Sequence, residues 1–177
     1  MSIRGSRPII VRRAPGKPSE GRIALAHSVR RVALGRSGVG GLKREGDGAT
    51  PLGRFPIRRV LYRHDRVARP RVPFPVRSIR AEDGWCEDPS DGNYNRLVKL
   101  SPKIVADRLM RDDHLYDLVL VLGHNDSPRV RGKGSAIFVH LAREGLAPTA
   151  GCIAFSRRDL RVLLTELRRD TEIWVLR

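Results

Sequence analysis

The residues best suited to chemistry in this chain are a histidine and a cysteine that lie twelve positions apart, His140 and Cys152. A free thiol has a pKa of about 8.5 and is mostly protonated at neutral pH, whereas an adjacent imidazole can take its proton and leave a nucleophilic thiolate. Because glycine and proline residues between the two allow the chain to fold back, we expect a ring nitrogen of His140 within hydrogen-bond reach of the Cys152 sulfur. The pair predicts acyl transfer with Cys152 as nucleophile and His140 as general base and acid.

Backbone amides beside the cysteine fit the same chemistry. Gly151 lets the backbone come close to a substrate carbonyl, and the N–H groups of Gly151 and Cys152 are placed to bind the oxyanion of a tetrahedral intermediate. A structural interpretation fits equally well, in which Cys152 is a small buried hydrophobe and His140 is a hydrogen-bonded residue at a strand end. Spacing alone leaves both interpretations open.

The elements that would position this pair are short strands. Runs of β-branched residues separated by glycine and proline fill the first third of the chain, and the apolar run at 118–122 predicts a central strand. The apolar segment before His140 predicts another. The strands expected in this way are 8–13, 22–27, 29–34, one ending near 62, 117–123, 135–142 and 172–176.

Two helices are expected among these strands, which makes the fold mainly β with two or so helices. Residues 101–111 begin with Ser-Pro, an N-cap followed by a first-turn proline. Ser156 and Asp159 form a capping-box-like pair, and leucines at 160–167 recur at helical spacing. The glycine-rich loop 35–41 lacks the Lys-Ser/Thr ending of a phosphate-binding loop and is interpreted as a hairpin loop.

Length and hydropathy are those of one domain, which we expect to occupy residues 1–177. A single core stays efficient up to roughly 250 residues, and the hydrophobic fraction of 40% is too high for a disordered chain. No apolar stretch approaches the about 18 residues that predict a transmembrane helix. The apolar run at 9–11 is too short for the core of a signal peptide, so no export signal is readable.

The formal net charge of +16 predicts a surface that attracts nucleic acid, anionic lipid or an anionic polymer such as a cell wall. The few aromatic residues are not interleaved with the basic ones as base-stacking platforms would be, which argues against a nucleic-acid function. Cys86 and Cys152 lie far apart and have no Cys-x-x-Cys spacing, so neither a zinc ribbon nor a dithiol motif is encoded. A disulfide between them stays open, although it would block a nucleophilic thiol.

Two blocks of the sequence resemble the L,D-transpeptidase catalytic domain family, the YkuD-like domains. The family signature is a histidine after an apolar strand followed by Ser/Thr-x-Gly-Cys, and residues 149–152 match it as Thr-Ala-Gly-Cys. Residues 47–55, Asp-Gly-Ala-Thr-Pro-Leu-Gly-Arg-Phe, are similar to the family's Thr-Pro-x-Gly-x-Phe block. The likeness runs over about 22–176, the expected core of the domain. It is closest to a small subgroup with a Pro-Thr-Ala-Gly-Cys motif, in which residues 83–89 and 94–96 also recur as scaffold around the cleft.

The resemblance implies an L,D-transpeptidase-like mixed β-sandwich that acts on peptidoglycan stem peptides. Cys152 would attack the carbonyl of the third residue of a donor tetrapeptide, a diamino acid, and expel D-alanine to leave a thioester. An amine of a second stem would then attack the thioester while His140 shuttles the proton. The resemblance also implies a periplasmic or cell-wall-associated location and a role in wall organisation and cell shape. No metal or organic cofactor is required, and the oligomeric state is unreadable.

Three positions depart from the family pattern: Leu141 stands where many members have glycine, Ala150 where many have histidine, and Ala154 where many have arginine. The missing histidine removes a polar neighbour of the thiol, and the missing arginine removes a carboxylate or scaffold contact. The candidate substrate-binding residues are Thr149, Arg143 and His124, although the sequence fits a solvent-exposed role for Arg143 and His124 as well.

Two alternatives to a transpeptidase remain. Water in place of the acceptor amine would make the chain an L,D-carboxypeptidase or another cell-wall peptide hydrolase with the same Cys152 and His140. A non-catalytic basic module that binds wall or nucleic acid would instead be indifferent to the substitution Cys152→Ala.

Overall fold

The computed structural model of the chain describes residues 8–177. The segment 1–7, which is part of the predicted domain and of the region searched for an export signal, lies outside the described residues. Strands account for most of the regular structure, so the fold is mainly β, as predicted. The strands are β1 (Ile9–Ala14), β2 (Lys17–Leu25), β3 (Ser28–Ala33), β4 (Val39–Gly40), β5 (Thr50–Pro51), β6 (Gly53–Tyr62), β7 (Val76–Ser78), β8 (Asp83–Cys86), β9 (Leu97–Lys99), β10 (Ala106–Arg108), β11 (Leu118–Leu122), β12 (Phe138–Leu141), β13 (Ile153–Phe155) and β14 (Glu172–Leu176).

Nine of these strands form one mixed sheet in the order β11-β12-β13-β3-β2-β1-β14-β6-β7. β6 also pairs with β11, so the sheet returns on itself and encloses a core. The first and last strands of the chain pair in parallel, with Ile9 opposite Ile173. The strands β10, β8 and β9 form a separate three-stranded sheet beside the main one.

The core follows from the period-2 alternation of the strands. In β2 the side chains of Ile23 and Leu25 are buried whereas the intervening residue is exposed, as expected for a strand with one face on the core. β11 is buried along its whole length, because its two faces contact two different hydrophobic clusters. The second cluster includes Trp85, Phe138 and Cys152, so the cysteine lies at the edge of packed side chains.

One α-helix is present among the described residues, α1 (Arg157–Glu166), together with a short 3-10 turn at Glu144–Leu146. The N-cap is Ser156, whose Oγ accepts the Asp159 N–H at 3.1 Å, so the predicted capping pair is confirmed. Leu160 and Leu163 pack on the core, as the leucine spacing predicted. Within residues 8–177, no helix has the length and hydrophobicity needed to cross a bilayer.

The helix predicted over residues 101–111 is wrong. That segment contains β10, in which Ala106, Asp107 and Arg108 pair with the strand β8, so sheet pairing between distant segments overrides a local capping signal. The hairpin predicted at 35–41 is also wrong, because β4 at the end of that loop pairs in parallel with β5. The loop instead contacts the segment before Cys152, where the Arg36 N–H donates to the Thr149 carbonyl at 2.9 Å.

Candidate active site

His140 and Cys152 face one cavity because β12 and β13 are neighbouring parallel strands. Val139 lies opposite Ile153 in the register of the two strands, and both of these side chains contact the main core. Side chains alternate along a strand, so His140 and Cys152 point to the opposite side. Both line a cavity of about 470 Å³.

The thiol of Cys152 is buried, with 8% of the residue exposed. It donates to the Ala136 carbonyl, with 3.1 Å between sulfur and oxygen, and accepts the Phe138 N–H at 3.4 Å. Burial, reinforced by the carboxylates of Asp107 and Glu87, raises the pKa of Cys152 to about 12, and the Phe138 N–H opposes this rise. The thiol is therefore protonated at neutral pH in the free protein.

The imidazole of His140 is held in one tautomer by the backbone. Its Nδ1 lies 2.8 Å from the Leu141 carbonyl oxygen, and because a carbonyl can only accept, Nδ1 carries the proton and Nε2 keeps its lone pair. Burial lowers the pKa of His140 to about 4, which keeps the ring neutral at pH 7. The ring also meets the Tyr116 ring edge-on, with 5.3 Å between centroids.

No hydrogen bond joins the His140 ring to the Cys152 sulfur within residues 8–177, so the contact expected from spacing is not formed in the free protein. The thiol uses its proton on the Ala136 carbonyl instead. Catalytic hydrogen bonds are often long in free enzymes and form only with substrate bound. A neutral thiol and a neutral imidazole therefore share the cavity.

The loop before Cys152 has a backbone that needs glycine. Gly151 adopts a φ of +144°, and a Cβ built at this position would lie 2.9 Å from the Ala49 carbonyl oxygen. The Gly151 N–H donates to Thr149 Oγ1 at 3.1 Å and is thereby engaged. Of the two backbone amides predicted to bind an oxyanion, that of Cys152 is the one we retain as the candidate donor.

Two threonine hydroxyls hold the carbonyl of Cys152. Thr149 Oγ1 donates to that carbonyl at 2.7 Å, and the fully buried Thr50 Oγ1 donates to it at 3.4 Å. Thr50 also accepts the Gly35 N–H at 2.8 Å. Thr50 was not among the candidate residues, although it belongs to the Thr-Pro block that drew attention to residues 47–55. Thr149 thus positions the cysteine loop from within the same cavity.

The walls of the cavity carry both signs of charge. Arg143, a predicted substrate contact, lines it together with other basic side chains. The acidic side chains of the lining are Glu45, Glu87 and Asp107. Asp107 accepts the Tyr116 hydroxyl at 2.6 Å, and burial, with the charges of Asp107 and Glu45, raises the pKa of Glu87 to about 7. Sequence reasoning missed these acids because β8 and β10 bring them in from distant segments. The lining charged residues are Arg36, Lys43, Glu45, Glu87, Asp107, Arg111 and Arg143.

His124 and Cys86 lie outside this cavity. The Nε2 of His124 is 3.0 Å from the Lys133 carbonyl oxygen, and its ring lines a second cavity on another side of the second hydrophobic cluster. Cys86 is fully buried in β8, and both cysteines are free thiols. The structure therefore brings together His140, Cys152 and the loop between them, and places His124 elsewhere.

Known proteins are similar to this chain over most of its length. The model of the YkuD family, described as the L,D-transpeptidase catalytic domain, matches residues 19–175. Among solved structures, the chain is similar to the helical cell shape determining protein Pgp2 from Campylobacter jejuni, with a TM-score of 0.45 and 14% sequence identity. That likeness covers 95% of this chain and 47% of the other, so the chain spans about half the length of that structure. The search of curated proteins found no match.

Proposed function

Because this chain belongs to the L,D-transpeptidase catalytic domain family, we propose that it is a cysteine-dependent L,D-transpeptidase that cross-links peptidoglycan stem peptides. The observation that carries this proposal is that His140, in β12, and Cys152, immediately before the neighbouring strand β13, line one cavity. The volume of about 470 Å³ is in the range of sites that take small ligands or peptide segments.

The first half-reaction forms a thioester on Cys152. The sulfur attacks the carbonyl carbon of the diamino acid at the third position of the donor stem while its proton passes to Nε2 of His140. The backbone N–H of Cys152 stabilises the oxyanion of the tetrahedral intermediate. When the intermediate collapses, the bond to D-alanine breaks and the leaving nitrogen takes the proton from His140.

The second half-reaction returns the enzyme to its starting state. The amine of an acceptor stem attacks the thioester carbon and gives a proton to His140, the new amide bond forms, and the departing sulfur recovers that proton. Water in place of the amine would release a tripeptide, which is the L,D-carboxypeptidase outcome of the same site.

The protonation states of the free protein favour a concerted first step. With the pKa of Cys152 raised to about 12 and that of His140 lowered to about 4, a separated thiolate and imidazolium are unfavourable before substrate enters. The proton therefore moves as the sulfur attacks, because the negative charge passes at once to the oxyanion.

The proposed place of action is the periplasm or the cell wall, where the substrate is found. A formal net charge of +16 suits a protein that works on an anionic polymer, because the positive surface potential raises the concentration of the protein near that polymer.

The deciding experiment is mass spectrometry of the products formed from disaccharide-tetrapeptide fragments of peptidoglycan. The wild-type protein should yield cross-linked dimers and free D-alanine, and Cys152→Ala should yield neither. Cys86→Ala is the matched control, because it removes the other thiol, which lies outside the cavity, and should leave the products unchanged. Tripeptide as the sole product would identify a carboxypeptidase, and the absence of any Cys152-dependent product would refute the proposal.

A further inference from the structure

A second cavity, of about 420 Å³, lies beside the loop that follows β11 and shares no lining residue with the catalytic cavity. Its apolar surface comes from Trp85, Leu97 and the end of β11 at Val121 and Leu122. Its charged surface is dominated by arginine. The basic residues that line it are Arg58, Arg59, Arg96 and Arg129.

Three of these guanidinium groups lack an acidic partner. Asp126 is the one acidic residue in the lining, and Arg58 binds it in a bidentate manner, with 2.7 Å from Nε to Oδ2. Within residues 8–177, the other three arginines form no ion pair. The Nε of Arg129 is moreover buried and has no hydrogen-bond partner there. A buried donor without a partner is costly, and the guanidinium geometry matches carboxylate and phosphate oxygens.

The loop that carries Arg129 is fixed in place. The Asn125 side chain accepts the Val130 N–H at 2.8 Å and donates to the Gly134 carbonyl at 2.9 Å. The Asn95 amide nitrogen donates to the carbonyls of His124 and Asn125, at 3.0 and 2.9 Å. A loop held by such a frame needs little backbone rearrangement on binding, which favours affinity.

Gly123, the residue after β11, leaves space for one of these arginines. A Cβ built at Gly123 would lie 2.6 Å from Arg58 Nε, so the missing side chain makes room for that guanidinium against the end of β11. The floor is connected to the segment before β12, because Asn95 Oδ1 accepts both the Trp85 indole N–H and the Ala136 N–H. Ala136 in turn accepts the proton of the Cys152 thiol.

We propose that this second cavity binds a carboxylate-bearing peptide segment of the wall polymer, separately from the donor segment in the catalytic cavity. The arginines would take the carboxylate oxygens, and the apolar floor around Trp85 would contact the chain atoms between them. The shared chemistry is that of an oxyanion, and phosphate would satisfy the same donors. Peptide is favoured because the cavity is far larger than one oxyanion and because apolar side chains, Trp85 and Leu97 among them, line it beside the arginines. This assignment rests on the proposed function, whose substrate supplies such carboxylates.

The test follows the indole N–H signal of Trp85 by NMR in protein that carries Cys152→Ala, so that no turnover occurs. A free stem tetrapeptide should shift that signal in a saturable manner. The triple variant Arg59→Gln, Arg96→Gln and Arg129→Gln should weaken the affinity at least about tenfold, because one lost charge-assisted hydrogen bond already corresponds to that factor. Of the two tryptophans in the chain, the other is assigned by its own substitution to phenylalanine.

The matched control removes the same charge from exposed arginines elsewhere, through Arg13→Gln, Arg22→Gln and Arg161→Gln. Its affinity for the tetrapeptide should equal that of the parent. Equal weakening in both triple variants, or no saturable shift of the indole signal, would overturn the proposal. So would inorganic phosphate that binds as tightly as the tetrapeptide, or a tetrapeptide with amidated carboxyls that binds unchanged. Failure of the proposed function is separate, because it appears as missing Cys152-dependent products in the wild-type protein.

Discussion

Replacing Thr50 by valine removes a hydroxyl that contacts the Cys152 carbonyl and leaves the packing almost unchanged, because the two side chains are similar in shape. Thr50 is fully buried, and its Oγ1 accepts the Gly35 N–H at 2.8 Å while donating to the Cys152 carbonyl at 3.4 Å. In Thr50→Val the Gly35 N–H would remain buried without an acceptor. The Cys152 carbonyl would keep its shorter bond, from Thr149 at 2.7 Å.

The expected loss of stability follows from these two bonds. An orphaned buried N–H costs about 1–3 kcal/mol, and the long bond to the carbonyl adds little because that carbonyl keeps another donor. For a chain of this length each kcal/mol lowers the melting temperature by about 2–4 °C, so a loss of about 2 kcal/mol corresponds to roughly 4–8 °C.

The assay measures the reversible unfolding of Thr50→Val, both by thermal melts and by denaturant titration. Thr165→Val is the matched control, since Thr165 is exposed and its hydroxyl donates to the Val162 carbonyl within α1. We expect the control to change stability by less than about 0.5 kcal/mol. If Thr50→Val is no less stable than Thr165→Val, the hydroxyl does not hold the loop and the reasoning fails.

Three further predictions concern the cavity itself. Glu87→Gln should lower the pKa of Cys152, seen as a pH profile of thiol alkylation that moves to lower pH, because one of the charges that raises the thiol pKa is removed. Glu144→Gln, at an exposed site in the loop after β12, should leave that profile unchanged. The pKa of His140 is lowered from 6.5 to about 4 on folding, so its contribution to stability is complete above pH 6.5 and is lost as the pH falls toward 4. His140→Gln should reduce the fall in melting temperature over that window, and an unchanged fall would contradict the shift. Gly151→Ala should abolish Cys152-dependent turnover and lower the melting temperature, because its Cβ would meet a backbone oxygen at 2.9 Å; full activity in this variant would show that the loop adapts.

Elements defined by local periodicity were predicted well from the sequence. The apolar run of β11 and the leucine spacing of α1 each identify an element without reference to the rest of the chain, and the final strand β14 has the predicted bounds. The position of His140 near the end of β12 was predictable for the same reason, because an apolar run precedes it. That His140 and Cys152 share a cavity follows from two short strands and the loop between them, whereas their catalytic roles stay a prediction.

Features that depend on pairing between distant segments were not predictable. The segment with β10 carries a helix-start signal, yet its pairing with β8 decides its structure and brings Asp107 and Glu87 to the thiol. Spacing also could not fix side-chain orientation, and so it did not reveal that the Cys152 thiol bonds to the Ala136 carbonyl. Both require the positions of backbone atoms far away in the chain.

The parallel pairing of β1 with β14 has a consequence for how the chain is made. β14 lies between β1 and β6 in the sheet, yet it follows β1 by about 160 residues along the chain. At a synthesis rate of roughly 5–20 residues per second, about ten to thirty seconds pass between the synthesis of β1 and the synthesis of β14. The main sheet can therefore close on itself only late, because this pairing joins segments that are distant in the chain. Until then the edges of β1 and β6 that pair with β14 are unpaired and exposed to other nascent chains.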